Sequence, residues 1–282
     1  MFGCVPLRME INYTKVLAIA YACTKREFDS GELQESIERY ISRKSSKNYS
    51  FDLFIIVDQG YKEHYAALLD LESDRNINKV IIHSLHLPDE ENIYLKSKHS
   101  LKLFKESGEP ELGLSSGPNN LFFGAMNFLS DKDYDNYLLL ETDTRPVKYF
   151  WFDSLYKYCV KNDFLIAGSQ YKGDLEIPDG AEWKDHLNGV AIYKNCEKLK
   201  NLLSGAKSEI VRRVKEGDND FFVNYDIAIY YHIQSSEFNK KDYKGVIDTD
   251  IIVNISLGLD KDIKEQDILT KHRKTIILHQ KI

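Results

Sequence analysis

Apolar residues along this chain gather into short continuous runs, separated by stretches in which they recur at helical intervals. Lys15 to Ala22, Phe51 to Val57 and Lys79 to Ser84 read as strands, and the first two are nearly continuous in apolar side chains. A run of that kind without alternation predicts a strand covered on both faces. Between them, Leu33, Ile37 and Ile41 predict a helix over 32–42, and 61–71 also has helical character. Strand, helix and strand in turn imply right-handed crossovers and a largely parallel sheet.

The same pattern continues less evenly. Residues 92–108 offer no clear core strand and read as a loop or short helix. Ser115-Ser116-Gly117-Pro118-Asn119-Asn120 introduces an apolar helix over 121–129, and Tyr137 to Leu140 is a buried strand. Phe164 to Ser169 and Val190 to Tyr193 read as strands, on either side of a loop from Tyr171 to Trp183. An aromatic helix is expected over 221–233. Val246 to Ile255 and Thr275 to His279 are apolar enough to pair into a sheet. There is no internal repeat and no abrupt change of composition, so one compact α/β domain over 1–282 is expected.

Composition narrows the classes. Hydrophobic residues make up 43% of the chain and charged residues 29%, with a net charge of −6. These values suit a globular protein and argue against a generally polyanion-binding surface. Cys4, Cys23, Cys159 and Cys196 are far apart and form no CxxC pair, so neither a zinc cluster nor a disulfide framework is expected. No apolar run reaches the length of a membrane span, and Met1 to Arg8 lacks the pattern of a secretory signal. A cytoplasmic location is expected.

The chemistry concentrates at Glu141-Thr142-Asp143. Two acids two positions apart follow the buried strand, and Pro146 ends its regular continuation. In a strand both would face the same side, within reach of one hard cation that could bridge to phosphates. A solvated turn would use the same residues. A phosphatase of the haloacid dehalogenase type needs Asp, not Glu141, at the first position.

Four further groups could join this pair. The Gly-Pro turn before 121 could offer helix-end amides to an anion, or Asn119 or Asn120 could simply cap the helix. Asp185-His186-Leu187-Asn188-Gly189 could border a hydroxylated ligand. His279, after the apolar run 275–278, could give a metal its nitrogen ligand, and His272 is a poorer substitute among basic residues. Among Asp218, Asp220 and Asp226, Asp226 lies amid apolar residues and is the first choice for a general base, with Asp185 its rival.

A first strand ending in the polar loop Cys23-Thr24-Lys25-Arg26, then Ser116-Gly117-Pro118-Asn119 before a helix, the strand Leu138 to Asp143, His186-Leu187-Asn188-Gly189 and the late His279 follow in chain order. In that order they resemble a nucleotide-sugar glycosyltransferase of the GT-A type over about residues 14–282. Chlorella-virus glycosyltransferases of similar size are a kinship the resemblance suggests, which would place the protein in a host cytoplasm. It implies a Rossmann-like domain with a mixed, mostly parallel central sheet and a smaller C-terminal acceptor-side sheet. The nucleotide-binding half would span about 14–145 and the acceptor-side half about 146–282. Ala22, Thr24 and Arg26 would lie against base and ribose, Asp58 near the uracil of a UDP-linked donor, and Asn119 facing the donor. Glu141 would contact ribose or a metal-bound water. Asp143 and His279 would hold Mn²⁺ or Mg²⁺, and His186, Asn188 and Gly189 would border sugar and acceptor. Sugar would pass from a nucleotide-diphosphate donor to a hydroxyl of a glycan acceptor, with inversion, and Asp226 or Asp185 as base. A sugar-phosphate nucleotidyltransferase would need glycines in the loop 22–26, which has none. A non-catalytic carbohydrate- or nucleotide-binding protein would leave the acids and His279 apart in space.

Overall fold

The computed structural model describes residues 15–61, 68, 70–94, 106, 108, 110–173, 182–216, 223–255 and 264–280. The strands are β1 (Ala18–Cys23), β2 (Phe51–Val57), β3 (Ile77–Ser84), β4 (Asn136–Leu140), β5 (Thr144–Pro146), β6 (Ile166–Gly168), β7 (Ala191–Lys194), β8 (Val246–Asp248), β9 (Ile252–Asn254) and β10 (Ile277–His279). The helices are α1 (Lys25–Asp29), α2 (Glu32–Ser42), α3 (Ser116–Ser130), α4 (Trp151–Lys161), α5 (Glu182–Asp185), α6 (Glu197–Lys215), α7 (Tyr225–Gln234), α8 (Glu237–Asp242) and α9 (Glu265–Lys271).

Seven strands form a central sheet in the order β3-β2-β1-β4-β7-β6-β8. β3, β2, β1 and β4 run parallel, β7 is antiparallel to both neighbours, and β6 and β8 are parallel. The expected mixed, mostly parallel sheet is present. Its strands are continuous in apolar residues because both faces are covered. Ile19, Leu53 and Leu138 meet Leu33 and Ile37 of α2 and Trp151 and Leu155 of α4 on one face. Ala20, Phe54 and Leu139 meet Phe122 and Ala125 of α3, Leu202 of α6 and Ala228 of α7 on the other. Each fully buried Leu or Ile stabilises such a layer by roughly 1.5–3 kcal/mol.

A second sheet, β5-β10-β9, carries the C-terminal end of the described chain. The expected single strand over 246–255 is two strands. β8 joins the central sheet, while β9 pairs in parallel with β10. The polar stretch Asp248-Thr249-Asp250 permits the break, since Thr249 Oγ1 accepts the Ile251 amide at 2.8 Å and turns the chain. The sheets are joined where Ser169 Oγ accepts the Asn254 amide at 3.0 Å.

Three further expectations are corrected. The polar loop after β1 is a single residue, Thr24, because Thr24 and Glu27 form a reciprocal capping box that starts α1 at Lys25. The helix expected from Leu121 starts at Ser116, so Gly117 and Pro118 lie inside its first turn. A first-turn proline has no partner for a missing N–H to forfeit. The sequence as read above also offers no helix for α4, α6, α8 or α9, although Leu199, Leu202, Leu203, Ala206 and Ile210 mark α6 at helical spacing. Most of 61–71 and 92–108, most of the loop 171–183, and the start of the helix expected at 221 lie outside the described residues.

Candidate active site

The acidic pair stands where β4 gives out. Regular strand ends at Leu140, and Glu141 to Thr144 form a turn closed by the Thr144 amide and hydroxyl, which donate to the Glu141 carbonyl at 3.2 and 2.6 Å. The turn, not strand alternation, therefore sets the two acids side by side. Thr144 then opens β5, whose antiparallel register places it opposite His279 on β10.

This pairing carries the imidazole to the acids. His279 Nε2 lies 3.1 Å from Asp143 Oδ1 and 3.6 Å from Glu141 Oε2. One ligand atom from each of the three residues falls within 4.8 Å of the others. His279 is 4% exposed, while the side chains of Asp143 and Glu141 are 26% and 42% exposed and face the opening. His279 Nδ1 is buried with no hydrogen-bond partner among the described residues. Two carboxylates and one imidazole form a donor set that could hold a divalent cation.

Crowding changes the protonation of these groups. Desolvation pushes the Glu141 carboxyl up to about 7; His279 opposes the shift, while Asp143, Asp226 and Glu27 add to it by repulsion. Desolvation alone would lower the His279 pKa. The Asp143 hydrogen bond and the charges of Glu141, Asp143 and Asp226 outweigh it, so the imidazole holds its proton above the ordinary range.

The middle residue of the turn is gripped from both sides. Thr142 Oγ1 donates to Glu27 Oε1 at 2.9 Å, and Arg39 Nη2 donates to the Thr142 carbonyl at 2.5 Å. Glu27 also accepts from the Thr24 amide and hydroxyl, each at 2.8 Å. Helices α1 and α2 thus hold the backbone from which both acids project.

The residues expected around a nucleotide occupy the edge beside this turn. Ala22 is half-buried near the end of β1, next to Ile56 of β2. Thr24 is engaged in the capping box, and the Arg26 side chain is 68% exposed, 4.0 Å from Glu32. Asp58 is buried at the end of β2 and accepts from the Lys25 and Gln59 amides at 2.6 and 2.7 Å and from Asn92 Nδ2 at 2.9 Å. It therefore shapes the β1–α1 junction. Asn119 is fully buried, and its amide donates to the Leu112 and Val223 carbonyls at 3.3 and 3.0 Å.

On the other side, Asp226 lies in the first turn of α7. Its Oδ2 lies 3.4 Å from His186 Nε2, and both side chains are largely buried. Asp226, Asp185 and Asn188 line a cavity of about 370 Å³, with Gln170, Tyr193 and Asp248 among its other walls. Asn188 is fixed by its own loop, its amide donating to Ser169 O and its Oδ1 accepting the Val190 amide, both at 3.0 Å. Gly189 has no room for a side chain, since a Cβ there would run into the Tyr225 hydroxyl. Asp218 and Asp220 lie outside the described residues.

No sequence-family model matches the chain, and no curated protein matches it. Solved structures do. Mouse xyloside xylosyltransferase 1, in its apo form, aligns over 94% of this chain and 96% of its own, at 15% identity and a TM-score of 0.50. An active-site mutant of LgtC aligns over 93% of this chain and 86% of its own, at 12% identity and a TM-score of 0.54. The apo glycosyltransferase GlyE of Streptococcus pneumoniae TIGR4 aligns over 94% of this chain and 54% of its own, at 13% identity and a TM-score of 0.50. The chain has the GT-A glycosyltransferase fold.

Within the GT-A frame, the structure brings Glu141, Asp143 and His279 into one cluster and sets Asp226 and His186 beside each other. Glu27, Arg39, Gln170 and Asp248 were not singled out in the sequence. The Thr24-x-x-Glu27 spacing is a readable capping signal. Arg39 had no local signal, because its partner Thr142 is 103 positions away. Among the described residues no helix is long and apolar enough to cross a membrane.

Proposed function

We propose that this GT-A protein transfers a glycosyl group from a nucleotide-diphosphate sugar, UDP-linked in our reading, to a hydroxyl of a glycan acceptor. The observation that carries the proposal is the convergence of Glu141, Asp143 and His279 within 4.8 Å at the end of β4. Asp143 and His279 would hold Mn²⁺ or Mg²⁺, with Glu141 beside them. The bound cation would supply neutralising charge for a departing diphosphate.

The chain's own groups would do the rest. Thr24, Arg26 and Asp58 would form the nucleotide side at the β1–α1 junction, with Ala22 beside them and Asn119 supporting the donor side from within α3. His186, Asn188 and Gly189 would border the sugar and acceptor. Asp226 would take the proton from the acceptor hydroxyl, with His186 Nε2 held 3.4 Å from its Oδ2. In-line attack with inversion is the course that gives Asp226 this task; Asp185, on the same cavity, is the other candidate base. The whole chain would act as one unit, with its nucleotide half over about 14–145. A cytoplasmic setting is part of this reading. The step from β1 to α1 through Thr24 alone leaves no glycine-rich phosphate loop, which favours transfer over nucleotidyl chemistry.

The test is a panel of nucleotide sugars, offered with and without Mn²⁺, with donor binding and hydrolysis measured. One donor should bind and turn over, and Asp143→Ala should abolish the Mn²⁺-dependent part while keeping the fold. Absence of any donor-dependent binding or turnover would sink the proposal.

A further inference from the structure

Away from the cleft, three chain segments meet on one surface. The Phe150 amide donates to the Lys44 carbonyl at 2.9 Å, and the Phe152 amide to Ser45 at 3.0 Å. The Val147 amide donates to Ile276 at 2.9 Å, and Lys148 Nζ reaches the Arg273 carbonyl at 2.9 Å. These bonds bring the backbone at Lys44, Lys148 and Arg273 together, and Arg43, Lys47 and Lys274 lie within three positions of them along the chain, so that six basic residues belong to this junction. None of the six has an ion-pair partner among the described residues, although the chain as a whole carries a net charge of −6. Asp153, a buried acid bonded to this segment, is spent on Ser46 Oγ and on the Lys47 and Asn48 amides.

Aromatic side chains stand out of the same patch. Tyr149 is 60% exposed and Phe150 36%, and the Arg43 guanidinium lies over the Tyr149 ring at 5.9 Å. The backbone there is held in a costly form. Lys44 and Phe150 both have left-handed dihedrals, with φ of 50° and 55°, a region that favours glycine or asparagine. Phe150 is also the N-cap of α4 and makes no side-chain capping bond, where Ser, Asp or Asn would stabilise the helix. Folding stability thus favours another residue at a position that presents an aromatic ring to solvent.

We infer that this patch is a docking surface for an anionic lipid bilayer, with Tyr149 and Phe150 entering the headgroup region among unpaired lysines and arginines. Each basic side chain near an anionic leaflet strengthens binding about fivefold, and an aromatic ring beside it sits favourably at the interface. Exposed aromatics distinguish this occupant from a purely polyanionic one, for which charge alone would suffice. Lys148 lies four residues beyond Thr144, so about 14 Å of extended chain at most separates it from the acid turn. The inference does not depend on the glycosyl-transfer reading.

The test is co-sedimentation of the full chain with phosphatidylcholine vesicles, with and without phosphatidylserine, at low and high salt. The chain should pellet with the phosphatidylserine vesicles and be released by salt. The triple charge reversal Lys44→Glu, Lys47→Glu and Lys274→Glu should weaken binding by more than about a hundredfold. Phe150→Asn, which suits the left-handed backbone, and Tyr149→Ser should each weaken binding with no change of charge. Melting temperatures would verify that these variants fold, and Tyr149→Ser keeps the test open should Phe150→Asn not. Failure of the wild-type chain to bind, or binding indifferent to all these changes, would overturn the inference. So would equal binding to heparin that ignores the aromatic substitutions, because the surface would then recognise charge alone.

Discussion

Glu141 and His279 bind protons more tightly in the folded chain than they would unfolded, and the consequence has a definite sign. For Glu141 the folded value of about 7 exceeds the ordinary 4.5, so stability falls as pH rises through that interval. For His279 the folded value lies above the ordinary 6.5, so its contribution is complete below that value and is lost as pH rises through the folded one. Both groups act in the same direction. The metal-free protein should melt at a lower temperature near about pH 8 than near about pH 6, and Mn²⁺ should raise the melting temperature more at the higher pH, where protons no longer compete. Thermal melts at both pH values, with and without Mn²⁺, check this. Asp143→Ala should remove the Mn²⁺ effect, and a shift independent of pH would contradict the assignment.

At the scale of elements, the turn between β4 and β5 is more than a loop with two acids. Its centre is held by Glu27 of α1 and Arg39 of α2, so the carboxylate spacing depends on helices that contribute no ligand. Groups that orient metal ligands commonly matter about 10–100-fold in affinity. Thr142→Val, which removes the hydroxyl bound to Glu27, and Arg39→Gln should each weaken Mn²⁺ binding by about tenfold while leaving secondary structure intact. Titration followed by the Mn²⁺ paramagnetic resonance signal measures this directly. Affinity within about twofold of the wild type would show that the turn holds its shape alone.

The sequence was most legible where chemistry and periodicity were local. β1, β2 and β4 follow from their apolar runs, and Glu141, Asp143 and His279 from acids and an imidazole placed just after apolar segments. Less could be read where the deciding partner was remote. The division of 246–255 between two sheets depends on Thr249 and on strands elsewhere in the chain, and Arg39 gains its task only once α2 packs beside the turn. The patch around Phe150 was invisible for the same reason, since its lysines come from segments more than a hundred positions apart. α6 is a different case, because its helical spacing is visible in Leu199, Leu202, Leu203, Ala206 and Ile210.

For the molecule as a whole, the placement of His279 on β10 opposite Thr144 also bears on chain entropy. Asp143 and His279 lie more than a hundred positions apart, and a cation between them would close everything in that span into a single ring. Long-range clips of this kind restrict the unfolded chain more than short ones do. The cation would then act as a removable staple, with its effect spread over β5, β9 and β10. Amide hydrogen exchange in those three strands should quicken on chelation, while the buried centre of β1 changes little. Exchange rates in the small sheet that ignore the chelator would show that the strands need no such tie.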